Sequence, residues 1–96
     1  MLFRTPPSQP EDPAAAPPTL VIYSRRECHL CDVAKATATA LQERIDFHIE
    51  VHDVDDDPAW AEAYGNEVPV GFVGERKVFK YRVDPGTLEK ALLSGR

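Results

Sequence analysis

The chain has 96 residues, 43% hydrophobic and 28% charged, with a formal net charge of −5. This length has room for one domain around one modest core, and its acidic balance speaks against a nucleic-acid or anionic-membrane partner. No run approaches the roughly 18 apolar residues of a membrane span. Met1-Leu2-Phe3-Arg4 leads into prolines without the apolar stretch of a secretion signal, so a cytoplasmic location is expected.

Residues 1–18 read as a Pro-rich tail, holding six of the nine prolines among Ser8, Gln9, Glu11, Asp12 and three alanines. Such a segment buries too little apolar surface to offset its ordering entropy, which predicts disorder, with a Pro-rich docking segment as the alternative. The domain is expected over residues 19–96. Leu20-Val21-Ile22-Tyr23 is a short apolar, β-branched run, predicting a strand buried on both faces, and Ser24 to Glu27 is the loop after it. From Leu30 the spacing turns helical through Val33, Ala34, Thr37, Ala38, Leu41 and Ile45.

A second strand is predicted over Phe47 to Val51, with Phe47, Ile49 and Val51 on one face and His48, Glu50 and His52 on the other. Asp57-Pro58 is an N-cap followed by proline, opening a short helix to about Tyr64. Val68 to Val73 is the next strand and Gly74-Glu75-Arg76 a hairpin turn. Lys77 to Val83 pairs back, with Val78 on one face and Phe79 and Tyr81 on the other. Asp84-Pro85 repeats the capping signal before a last helix with Leu88, Ala91 and Leu92 on its apolar side. The order β-α-β-α-β-β-α predicts an α/β fold, a four-stranded mixed sheet flanked by three helices.

The two cysteines, Cys28 and Cys31, stand three apart. Random placement would give that spacing in roughly one case in fifty. In cytoplasm, where stable disulfides are rare, such a pair points to redox or metal chemistry. Both lie where a strand gives way to a helix. Backbone N–H groups and the positive end of the helix dipole stabilise a thiolate there. Cys28 is the expected nucleophile, and Cys31, one turn further in, the expected resolving thiol. Arg25, Arg26 and a protonated His29 would add positive charge, and Asp32 works the other way.

Strand, C-x-x-C, helix, strand, helix and then Val68-Pro69 before a hairpin resembles glutaredoxin, within the thioredoxin-like superfamily, over residues 19–93. The resemblance implies a cis bond between Val68 and Pro69, backbone contact of Val68 with a bound substrate chain, and Arg25 as a cation for the glutathione carboxylate. The chain departs from the family's Cys-Pro-Tyr-Cys at His29 and Leu30. Phe79-Lys80 falls about where paired glycines let glutathione approach, and bulky residues there would obstruct it. It is more similar to the divergent, short bacterial glutaredoxin-like proteins than to a typical glutaredoxin.

A metal site is the rival reading. Cys28, Cys31, His48 and His52 approximate a zinc-finger spacing. Two histidines four apart on a strand lie roughly 13 Å apart, too far for one ion, so no metal is expected there. An iron–sulfur cluster bridged by two chains and a redox-inert adaptor are further alternatives. Asp53, Asp55, Asp56 and Asp57 lack the glycine and glutamate of a calcium loop and read as a solvated turn. Trp60 and Tyr64 are expected to pack the core edge. The expected function is dithiol–disulfide exchange on protein or low-molecular-weight disulfides by a monomer. No cofactor is required beyond the Cys28–Cys31 disulfide, with glutathione, another small thiol or a reductase supplying electrons.

Overall fold

Alternation organises the first strand, β1 (Thr19–Ser24), in which Leu20, Ile22 and Ser24 are buried and Thr19, Val21 and Tyr23 half-buried. This corrects the expectation of two equally buried faces. The second face is covered by aromatic rings and a short helix in place of a full helical layer. The computed structural model describes residues 17–94, and the expected tail up to residue 16 lies outside the described residues. Pro18 already takes part in the fold, its carbonyl accepting the His48 N–H at 2.9 Å.

The elements that follow are α1 (His29–Leu41), β2 (His48–Asp53), a 3-10 turn (Val54–Asp56), α2 (Pro58–Tyr64), β3 (Val70–Val73), β4 (Arg76–Lys80) and α3 (Pro85–Ser94). Apart from the added 3-10 turn this is the expected order. The four strands form one mixed sheet in the order β2-β1-β3-β4. Helix α1 makes the crossover between parallel β1 and β2, while β3 is antiparallel to both β1 and β4. A parallel pair cannot be joined by a tight turn, which is why a whole helix intervenes.

The buried stripe of α1 is Cys31, Ala34, Ala38 and Leu41. At about 100° per residue these fall within one quadrant, and Val33 points roughly opposite. Val33 is accordingly 43% exposed, contrary to the expected pattern. Cys31 takes the place in the stripe that the pattern assigned to Val33. Ile45, expected on the helix, lies in the turn after it, where its N–H closes on the Leu41 carbonyl at 2.9 Å while its side chain stays in the core.

That core joins Leu20 and Ile22 of the sheet to the α1 stripe, Phe47, Phe79 and Leu88 and Leu92 of α3. Leu88 and Leu92 are fully buried, so truncating either to alanine would cost about 2–5 kcal/mol. Val51, expected inward, is 44% exposed because β2 is an edge strand at the rim of the helical layer. Gly71 faces Phe79 across β3 and β4, and a Cβ on Gly71 would collide with that ring.

Both capping expectations hold. Asp57 caps α2 by accepting the Ala59 N–H at 2.9 Å. Asp84 precedes α3 and accepts the Thr87 hydroxyl at 2.7 Å. The Thr87 hydroxyl holds the Asp84 carboxyl below its usual range; partial burial opposes it, and the backbone N–H groups of Gly86 and Thr87 add to the lowering. Strand β4 stops at Lys80, short of the expected Val83, because Tyr81 turns to a left-handed φ of 67°. Among the described residues no helix is long and apolar enough to cross a membrane.

Candidate active site

Cys28 ends the loop after β1 with extended backbone, φ −116° and ψ 107°, and forms the N-cap of α1. Its Sγ accepts the Cys31 N–H at 3.1 Å, so sulfur fills the role usually taken by a serine or aspartate oxygen. The Cys28–Cys31 sulfurs are joined in a disulfide, with Cα atoms 5.2 Å apart. Cys28 is half-buried and Cys31 fully buried. Cys28 keeps some exposure to solvent, and Cys31 is packed into the helix stripe.

Strand register brings the second part of the site to the same place. Tyr23 pairs with Val70 in the antiparallel β1–β3 ladder, so the residue before β3, Pro69, falls opposite Ser24 at the end of β1. The Val68–Pro69 bond is cis, as the resemblance implied. Pro69 is fully buried and Val68 half-buried. The Tyr81 N–H is shared between the carbonyls of Pro69 at 2.9 Å and Glu67 at 3.3 Å, and Lys77 pairs with Glu67 at 3.3 Å. These bonds tie the proline loop to the end of β4.

The remaining site candidates divide. His29 is exposed on the first turn of α1. Arg25 is already engaged, donating through Nε and Nη2 to both Asp55 carboxylate oxygens at 3.2 Å and through Nη1 to the Gly65 carbonyl at 3.2 Å. Arg26 lies 3.5 Å from Asp53. The acidic turn is therefore the counter-charge of the loop that leads to the dithiol. The parallel β1–β2 register, Ser24 beside Asp53, carries the signal for this pairing. Phe79, expected to obstruct a substrate groove, is in the core. The residue bonded to the proline loop is Tyr81.

A second cluster occupies the other face of the sheet. Tyr23 stacks against Tyr64 and His52 at centroid distances of 4.5 and 5.6 Å, and Trp60 and Phe72 close around it. Burial pushes the Tyr23 phenol above its ordinary pKa, with smaller contributions from Tyr64 and Glu50. His52 also bonds Glu50 at 2.6 Å, while His48 is exposed at the start of β2. Among the described residues no three or more His, Cys, Asp or Glu side chains are gathered to hold a metal ion. An open depression of about 400 Å³ lies at the opposite end of β1, lined by Pro18, Thr19 and Val73, away from the cysteines.

A mixed four-stranded sheet with a disulfide at the start of its first helix and a cis proline before its third strand defines a thioredoxin-like dithiol protein. The chain belongs to the glutaredoxin-like domain family (DUF836), whose model matches residues 19–93. A solution NMR structure of a protein from Nitrosomonas europaea is similar at 30% identity and TM-score 0.72, covering 80% of this chain and 93% of that one. An X-ray structure of a protein from X. campestris is similar at 29% identity and TM-score 0.65, covering 78% and 96%. No curated protein matches the chain at a significant level. The family and the cysteine pair together support a thiol redox role.

Proposed function

We propose that the protein is a thiol–disulfide oxidoreductase acting on protein or low-molecular-weight disulfides. The observation that carries this reading is the asymmetry of the pair: Cys28 is accessible at the helix N-cap and Cys31 is enclosed one turn further in. In the reduced protein the helix N-terminus, with the Cys31 N–H directed at Sγ, stabilises a Cys28 thiolate. That thiolate attacks one sulfur of the substrate disulfide, forming a mixed disulfide and releasing the other as a thiolate. Cys31, losing its proton to solvent, attacks the Cys28 sulfur and expels the second substrate thiolate. Two electrons have passed to the substrate. Two thiols of glutathione or another low-molecular-weight donor, or a reductase, return them and regenerate the dithiol.

In this reading Val68 and Pro69 border the substrate chain, His29 flanks the attacking sulfur, and Arg25 acts by fixing the loop or by reaching a substrate carboxylate. The cytoplasm is the compartment in which such a pair cycles. The test is trapping. Mixed with a disulfide substrate, Cys31→Ser should accumulate a stable adduct on Cys28, and Cys28→Ser should form none and lose reductase activity. Mass spectrometry showing the adduct on Cys31 alone would reverse the roles, and no adduct in either variant would remove the proposed activity.

A further inference from the structure

Four cations and no acid fall in the seven residues Arg76-Lys77-Val78-Phe79-Lys80-Tyr81-Arg82, in a chain of net charge −5. Lys77 is paired with Glu67. Lys80 and Arg82 are exposed and take part in none of the six ion pairs formed among the described residues. Register brings this charge to the dithiol end of the sheet. Tyr23, Val70 and Lys80 form one row across β1, β3 and β4. Strands β1 and β4, both antiparallel to β3, run the same way, so the end of β4 lies two strand spacings, roughly 10 Å, from the end of β1.

Tyr81 is the second observation. Its φ of 67° is one that side-chain-bearing residues seldom adopt and glycine adopts freely. The residue is nevertheless 45% exposed, with the Lys80 Nζ 5.6 Å from the ring centroid, and its N–H is bonded to the Pro69 carbonyl. The backbone thus holds an exposed tyrosine, with one cation against its ring and Arg82 next in sequence, beside the proline loop. Residues held in such conformations cluster at ligand-binding sites, and aromatic and arginine side chains are those that anchor interfaces.

Resting on the oxidoreductase reading, we propose that Lys80, Tyr81 and Arg82 form a docking surface for acidic polypeptide segments flanking a substrate disulfide. Charge complementarity selects the occupant, against the sign of the whole molecule. A chain of net charge −5 would by itself favour a basic peptide.

The experiment is an NMR titration of the oxidised full chain with three peptides of one sequence, differing only in acidic, neutral or basic residues around a serine that replaces the cysteine. The acidic peptide should bind tightest, roughly two- to thirtyfold better than the neutral one for two new surface ion pairs, with shift changes centred on Lys80 to Arg82. The charge-reversed Lys80→Glu/Arg82→Glu protein should invert the order, and Tyr81→Gly should weaken all three peptides while remaining folded. Equal affinities, or shift changes elsewhere, overturn the proposal. So does glutathione disulfide displacing the acidic peptide from these residues, which would assign the surface to small anionic thiols. Exchange rates of the reduced protein with the cysteine-containing peptides in their disulfide-linked form report separately on the oxidoreductase reading, since docking is measured without any thiol chemistry.

Discussion

Arg25 and Asp55 form a two-bond ion pair, the guanidinium Nε and Nη2 each 3.2 Å from a different carboxylate oxygen. The pair joins the loop before Cys28 to the turn after β2, thirty residues on. Both side chains are partly exposed, 39% and 56%, so their coupling in a double-mutant cycle should be small, about 0.2–1 kcal/mol by chemical denaturation. Arg25→Lys should lose most of it, because an ammonium cannot span both oxygens and the Gly65 carbonyl. Zero coupling together with a selective loss of activity toward glutathionylated substrate in Arg25→Ala would assign Arg25 to substrate binding.

Asp84 sets an acid-sensitive contribution. Its folded pKa is depressed by the Thr87 hydroxyl and by backbone N–H groups. The stability it gives is therefore complete above its unfolded pKa of about 3.9 and is lost as pH falls through the lower folded value. Asp84→Asn and Thr87→Val should each unfold at lower temperature at pH 7. Their deficit relative to the parent should shrink below about pH 4, as the parent loses the same interaction. A deficit that stays constant down to pH 2 would show that the carboxylate charge is not involved.

Gly71→Ala should destabilise the protein by about 1–3 kcal/mol, since the added methyl meets the Phe79 ring inside the core. Combining it with Phe79→Leu should recover part of the loss. Urea denaturation of the two single variants and the double variant measures this directly, and additive losses would show that the two residues do not compete for the same space.

Much of this architecture was legible because its signals are local. Asp57-Pro58 and Asp84-Pro85 announce helix starts within two residues, and Cys28 to Cys31 lies at a strand-to-helix change. What escaped depends on the third dimension. Val33 and Val51 look like core residues in a one-dimensional pattern, yet one faces away from the helix stripe and the other sits on an edge strand. The pairing of Arg25 with Asp55, and the packing of Tyr23 against Trp60 and Tyr64, join segments 30 or more residues apart. No propensity marks the left-handed turn at Tyr81, because a tyrosine there runs against the local rule.

Tyr81 also shapes the expectation for glutathione. Its N–H is bonded to the proline loop, next to the Phe79-Lys80 stretch where the resemblance to glutaredoxin implies paired glycines, while Phe79 is buried. Losing two or three hydrogen bonds of about 0.5–1.5 kcal/mol each would weaken glutathione binding by roughly ten- to a thousandfold. The protein should therefore deglutathionylate slowly while reducing a generic disulfide such as insulin competently, compared on one preparation with chemical reductant in the second assay. Faster turnover of glutathionylated substrate would show that Tyr81 does not obstruct the groove.

Cys31 fills a place in the α1 stripe that any small apolar side chain could occupy, one turn before Ala34 and without exposure to solvent. Its sulfur is at once half of the disulfide and a piece of packing. Exchanging it for alanine removes one small group from the core, at about 1 kcal/mol, and leaves the accessible Cys28 where it was. In the reduced protein, one substitution therefore separates a dithiol chain from a monothiol one, at a small cost to the packing of the fold.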